Sequence, residues 1–244
     1  MVPDLKKYIL HPISEKAISI VFGNQISEAI RQQISRLNRL ILANPFLGLL
    51  NAIPAYTTLT LFFEPSILLK DTSLKGSTCS EKITFYLAQL ENLNQNEAEN
   101  KSRIIKIPIC YEEVFGLDLA ELSSIHQLSK EEIIQLHTEA AYPVYMIGFV
   151  PGFPYLGGLN PVLNSPRKAS PRKVIPAGSV GIAGMQTGIY PLATPGGWQI
   201  IGRTPLKLFD AYRQQPSLLK AGDVVKFEPI SFTDFQKIYQ KEWA

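Results

Sequence analysis

Gly148-Phe-Val-Pro-Gly152-Phe-Pro-Tyr155-Leu-Gly-Gly158, Ser165-Pro-Arg167, Ser170-Pro-Arg172, Pro176-Ala-Gly178-Ser179-Val-Gly-Ile-Ala-Gly184, Gln186-Thr187-Gly188-Ile-Tyr190 and Thr194-Pro-Gly-Gly-Trp198 follow one another within residues 148–205. This block holds 11 of the 16 glycines and 9 of the 18 prolines of the 244-residue chain. Glycine permits φ > 0 and close backbone approach, and proline fixes φ and removes a donor, so such a run folds into tight turns and short strands. It also carries Phe149, Phe153, Tyr155, Leu156, Ile182, Ile189, Tyr190, Trp198 and Ile200. A flexible linker lacks such residues, which predicts a closed or nearly closed β structure built largely from loops.

The charge of the region is one-sided. No Asp or Glu occurs from Ala140 to Phe209, while Arg167, Lys168, Arg172, Lys173, Arg203 and Lys207 are present. Six cations among glycine N–H groups make an electropositive surface suited to carboxylates, phosphates or an acidic partner. The alternative is a turn-rich barrel whose acids lie elsewhere.

Composition bounds the remaining choices. At 45% hydrophobic and 18% charged, the chain has the make-up of a globular protein, and its length suits one large or two modest domains. A net charge of +3 without a polybasic run argues against nucleic acid. Cys79 and Cys110 make neither a disulfide framework nor a zinc site, and no apolar stretch reaches the roughly 18 residues of a membrane span. The first ten residues show no sustained apolar run behind Lys6 and Lys7, so the expected location is cytoplasmic and no membrane is expected as a partner.

Outside the block, the order of elements predicts two domains. Residues 17–22 alternate as a strand, and Asn24 is placed to cap a helix striped by Ile26, Ile30, Ile34, Leu37 and Ile41, ending near Asn44-Pro45. Residues 55–63 form a strand with Leu59, Leu61 and Phe63 on one face, and Ile67 to Leu69 are read as a short partner. A capping box at Thr78-Cys-Ser-Glu81 opens a helix striped by Ile83, Tyr86, Leu87, Leu90 and Leu93. Residues 1–95 therefore read as a small α+β domain of the split βαβ kind. The polar stretch Asn94 to Ser102 is the expected boundary, and residues 103–244 form a mainly β domain. That domain opens with a strand at Arg103 to Ile109. It continues with a helix starting near Asp118, a capping box at Ser129 to Glu132 before the helix that carries His137, and a buried strand from Tyr142 to Val150. A late strand at Asp223 to Glu228 and a C-terminal helix from Thr233 to Glu242 complete it.

No ready-made catalytic motif is present. Gly178 to Gly184 is G-x-x-G-x-x-G, neither a dinucleotide fingerprint nor a Walker loop. Ser179 lacks the glycine two residues before it that a nucleophile elbow needs, which favours a turn or ligand-contact hydroxyl. His11, His126 and His137 are too scattered for a metal site. His137, just before the acid-free region, is a candidate acid, base or anion donor. Arg167 and Arg172, each in a Ser-Pro-Arg setting, carry guanidinium forks suited to carboxylate or phosphate; as surface residues on a turn-rich barrel they need no such role. Trp198 and Tyr190 either line a pocket or fill the barrel.

The block, continued by Gly202-Arg-Thr-Pro205, closely resembles the family of 5-oxoprolinase B-subunits, which also includes the sporulation kinase inhibitor KipI and members labelled allophanate hydrolase subunit 1. The likeness covers about residues 105–230, with shorter support at Phe22-Gly23, Pro54-Ala-Tyr56 and Glu64-Pro65. The chain departs from the family pattern at Ser14-Glu15-Lys16 and Tyr111-Glu112-Glu113. The resemblance implies a cyclophilin-like β-barrel after the α+β domain. It also implies one component, inactive alone, of an ATP-dependent hydrolase that opens 5-oxo-L-proline to L-glutamate. The implied partners are the A and C components of the 5-oxoprolinase, LamB/YcsF-like and carboxyltransferase-like respectively. The implied cofactor is ATP, with Mg²⁺ held mainly by a partner because the block has no carboxylates. The residues expected to act are His137, Arg167 and Arg172 in catalysis and Gly178, Ser179, Gln186, Thr187, Gly188 and Tyr190 in substrate or nucleotide binding. Phe149, Phe153, Tyr155 and Trp198 are expected to shape the pocket or interface. The rival reading, from the KipI-like members, is an inhibitor that docks on a sensor histidine kinase; a third is one component of a urea carboxylase-type machine.

Overall fold

The structure, a computed structural model, describes residues 8–93 and 102–243. Residues 94–101, most of the stretch expected to be the domain boundary, lie outside the described part. By contact the chain separates into two units, one ending before residue 102 and the other beginning at Ser102.

The first unit contains β1 (Ile9–Ser14), β2 (Ala17–Val21), α1 (Glu28–Ala43), β3 (Leu49–Pro54), β4 (Thr58–Phe63), α2 (Pro65–Leu68) and α3 (Cys79–Leu93). Its sheet runs β1-β2-β4-β3. Both β2 and β3 lie antiparallel to β4, so they are parallel to each other with β4 between them, a split βαβ unit around α1. Ile18, Ile20, Leu59, Leu61 and Phe63 line the covered face, against Ile34, Leu37 and Ile41 of α1 and Ile83, Leu87 and Leu90 of α3.

Two local expectations are corrected. The cap of α1 is Ser27, whose hydroxyl accepts from Ile30 N–H at 3.2 Å, rather than Asn24. Ile67 and Leu68 are helical because Pro65 begins α2, where its fixed φ suits the first turn. The strand that pairs with β4 on that side is β3 instead. The edge strands β1 and β3 escape a search for alternation because each includes a proline, Pro12 and Pro54, as edge positions tolerate.

The second unit contains β5 (Ile104–Ile109), α4 (Leu119–His126), α5 (Lys130–Glu139), β6 (Ala141–Ile147), β7 (Pro154–Leu156), β8 (Arg172–Ile175), β9 (Ser179–Ala183), β10 (Gln186–Ile189), β11 (Thr194–Gly196), β12 (Gln199–Arg203), β13 (Val224–Pro229) and α6 (Phe232–Trp243). Seven strands form a curled sheet in the order β12-β9-β10-β7-β6-β13-β5, with β8 and β11 as a separate ribbon. Its two ends meet at one place, where Cys110 and Arg203 exchange main-chain hydrogen bonds of 2.9 and 3.0 Å. The strand expected to reach Val150 stops at Ile147, because Val150 N–H turns back to the Gly148 carbonyl and places Phe149 at φ 66°.

Gly178 sits at φ +84°, and a Cβ there would overlap the Thr204 carbonyl oxygen, which a side-chain rotation cannot relieve. Gly184 also has positive φ, +57°, but faces open space. Gly178→Ala is therefore expected to lower the unfolding free energy by about 2 kcal/mol, and Gly184→Ala by about 1 kcal/mol from backbone strain alone. Urea titrations of the two variants check the ranking.

Candidate functional site

The acid-free run is acid-free only along the chain. Asp118 precedes α4 but forms no side-chain cap on it. Its carboxylate, 2% exposed, turns to the block and accepts from Arg172 Nη1 at 2.8 Å, Arg172 Nη2 at 2.6 Å, Lys168 Nζ at 2.9 Å and Ile200 N–H at 2.6 Å. Lys168 Nζ also reaches Glu121 Oε2 at 2.7 Å and Gln199 Oε1 at 3.3 Å. Burial pushes the Asp118 carboxyl upward, but the bonds from Arg172, Lys168 and Ile200 outweigh it and hold it below the usual carboxylate range. The same bonds to Asp118 raise Arg172 further.

Two other cations are also engaged. Arg203 Nε donates to the Ala177 carbonyl at 2.8 Å, and its guanidinium lies over Phe115, Phe235 and Tyr239 at 5.7, 5.9 and 5.4 Å. Lys207 lies 5.2 Å over Trp243. These contacts bind α6 to the sheet. Of the two readings of the acid-free run, the one with its acids elsewhere in the chain fits Lys168 and Arg172; among the described residues, Arg167 and Lys173 are the exposed members of the six without a hydrogen bond or ion pair.

His137 lies on the expected helix, α5, and faces the interior. Its ring is wholly buried, stacked on Phe227 at 4.6 Å and 11°, with Tyr111 Oη 2.8 Å from Nδ1 and Thr187 Oγ1 3.0 Å from Nε2. Thr187 gives its single hydroxyl proton to the Gly181 carbonyl at 3.0 Å, so it accepts from His137 Nε2–H. Nδ1 then accepts from the Tyr111 hydroxyl. Burial pushes the imidazole down to about 3. A neutral ring with both nitrogens satisfied and no exposed face holds α5 to β10, an arrangement that favours a structural part over the expected catalytic one.

The aromatic residues divide by depth. Phe153, Tyr190 and Trp198 are buried and meet at ring distances of 5.2 to 6.5 Å, with half-buried Tyr155 4.9 Å from Phe153. They form a core cluster with Ile175 and Ile200 rather than an open pocket. Burial pushes the Tyr190 phenol up to about 12, partly offset by the Trp198 main chain and by Arg167. Phe149, 61% exposed, lies over this cluster with its ring 5.6 Å from Phe153. A Cβ at Gly188 would press on Phe153 and Trp198, so that glycine serves packing.

Ser179 is buried in β9, and Gln186 is half-buried at the start of β10. The structure therefore brings His137 together with Thr187, and Tyr190 with Phe153 and Trp198. It does not gather His137, Arg167 and Arg172 at one opening. A cavity of about 390 Å³ lies in the first unit, lined by Ala17, Phe63 and Cys79 among others, and includes none of the expected residues. Among the described residues no three His, Cys, Asp or Glu side chains cluster as metal ligands would. No described helix is long and apolar enough to cross a membrane.

Sequence reasoning placed Asp118 only at a helix start and did not single out Glu121, Lys168 or Gln199 as partners of the block. The one signal in the sequence is charge balance: six cations with no acid among them leave open that their acids lie elsewhere in the chain.

Comparison with known proteins adds a second line of observation. Residues 8–219 match the family described as carboxyltransferase domain, subdomain C and D. The B-subunit of 5-oxoprolinase from Bacillus subtilis (strain 168) is 44% identical over 236 residues, covering 97% of this chain and 98% of the relative. The 5-oxoprolinase B-subunit of Escherichia coli O157:H7 is 40% identical over 217 residues, 89% of this chain and 94% of the relative. The crystal structure of TTHA0988 superposes with a TM-score of 0.74 at 37% identity over 88% of this chain, which spans 40% of that longer polypeptide.

Proposed function

The chain belongs to the carboxyltransferase domain, subdomain C and D, family, within its group of 5-oxoprolinase B-subunits, and from that premise we propose that it serves as this component of an ATP-dependent 5-oxoprolinase. The observation that carries this reading is the near end-to-end likeness to a protein named as that component, 97% of one chain against 98% of the other. The complex opens 5-oxo-L-proline to L-glutamate together with a LamB/YcsF-like partner and a carboxyltransferase-like partner, the A and C components. The ring C–N bond breaks, the oxygen of water ends on the new carboxylate, and the nitrogen takes protons to become the α-amino group. Amide resonance makes the lactam a poor electrophile, which is the chemical reason for coupling to ATP hydrolysis.

The nucleotide does not find a full cradle on this chain. Of the cations in the block, Lys168 and Arg172 are bound to Asp118, and Arg203 and Lys207 lie on aromatic rings. ATP and Mg²⁺ are accordingly assigned mainly to the partners, and the chain is inactive alone.

The test is ATP-dependent glutamate release from 5-oxo-L-proline by the three mixed components, with each omitted in turn. Activity is expected only with all three present. Equal turnover without this chain removes the 5-oxoprolinase reading and leaves kinase docking as the next to examine.

A further inference from the structure

The backbone on both sides of Arg167 is unusually well held for a surface loop. Wholly buried Ser165 accepts from Gly184 N–H at 2.6 Å through its carbonyl, and its hydroxyl lies 2.7 Å from His126 Nε2. The Pro166 carbonyl accepts from Nε2 of buried Gln199 at 3.1 Å. Lys168 N–H donates to the Gly197 carbonyl at 2.7 Å, while its side chain is tied to Asp118 and Glu121. Five residues on from Arg167, Arg172 is tied to the same aspartate.

Charge follows the same division. Asp118 and Glu121 supply two negative charges and Lys168 and Arg172 two positive ones, so this cluster is neutral. Arg167 is exposed, takes no hydrogen bond or ion pair among the described residues, and is flanked by main chain that cannot easily move. Lys173, the other unpaired cation, is next to Arg172 on β8, where adjacent side chains point to opposite faces. A guanidinium with its donors unused, on a loop pinned by buried partners, is a pre-organised oxyanion receptor.

We infer that Arg167 binds an oxyanion of the substrates, a carboxylate or a phosphate taken up by two parallel N–H donors, and that Asp118, Lys168, Gln199 and Arg172 are positioning residues that hold its loop. This inference rests on the 5-oxoprolinase reading for the identity of the ligands. It separates Arg167 from Arg172, which the sequence treats alike. One guanidinium suits one anionic group, either the carboxylate of the lactam or a terminal phosphate of the nucleotide.

Calorimetric binding to the assembled complex tests the assignment, with 5-oxo-L-proline and ATP titrated separately into wild type, Arg167→Ala and Arg167→Lys. Arg167→Ala is expected to weaken one of the two ligands on the order of 10-fold or more, and Arg167→Lys by less, because an ammonium keeps charge without the fork. Loss confined to the lactam identifies the carboxylate, and loss confined to ATP the phosphate. Asp118→Asn is expected to weaken the same ligand with Arg167 still present, whereas a purely structural Asp118 leaves its affinity unchanged in the folded complex. Undiminished binding of both ligands by Arg167→Ala, or binding of neither by wild type, overturns the inference. Turnover by the complex is read separately, so loss of the 5-oxoprolinase assignment and loss of the Arg167 assignment are distinguishable.

Discussion

Asp118→Ala is expected to lower the unfolding free energy of the second unit by about 3–4 kcal/mol, and its melting temperature by roughly 10 °C. The reason is what the deletion leaves behind. Arg172 and Lys168, with side chains 27% and 20% exposed, lose their common acceptor, and the Ile200 N–H, buried at the start of β12, loses the carboxylate it donates to. An unsatisfied buried donor costs about 1–3 kcal/mol, and cations of partial exposure recover part of their loss from water. Asp118→Asn keeps an oxygen for Ile200 and is expected to cost less. The folded carboxyl lies below its unfolded value, so its stabilisation is present above about pH 4 and is lost as pH falls through the folded value. The gap between wild type and Asp118→Ala should therefore be full near neutral pH and close in acid. A gap that stays constant across that range points to packing instead of charge.

Most features governed by local sequence were legible, the cap of α1 and the turn of α2 excepted, and those governed by long-range pairing were not. The stripe Ile34, Leu37 and Ile41 lies in the core because helical spacing alone decides which face is covered. The box at Ser129 and Glu132 has both halves in place, since it involves residues three apart. Asp118 and Arg172 are 54 residues apart, and nothing in either neighbourhood announces the pair. The acid-free run consequently described the chain and not the surface. The strands of the Gly/Pro block are three to five residues long, too short for alternation to define their ends. The depth of His137 was legible in principle. It follows Ile133 by four residues on α5, and helical spacing puts both on the covered face.

That buried histidine leads to the other large expected effect, a loss of stability in mild acid. Protonation would give the ring two donors, yet Nδ1 faces the Tyr111 hydroxyl, which now donates to it, and Nε2 already serves Thr187. Phe227 covers one side of the ring, and the other ionisable groups against it, Tyr111 and Tyr142, are phenols pushed upward by burial and so uncharged here. The folded imidazole titrates at about 3, against an ordinary value of 6.5. Between those values the unfolded chain binds a proton that the folded chain does not, so stability rises with pH and falls on acidification. The slope from this one residue is about 1.4 kcal/mol per pH unit between roughly pH 6 and pH 4, above the range in which the contribution of Asp118 changes with pH. His137→Gln, able to accept from Tyr111 and donate to Thr187, loses the stack on Phe227 and is less stable at neutral pH, but its stability should vary less with pH over that window. Urea titrations at half-unit steps measure both slopes, and the His137 ring resonance of the native protein should not move above about pH 4. A ring that titrates near its ordinary value in the folded state would mean that His137 is open to water, and would return it to the set of groups able to exchange a proton with substrate.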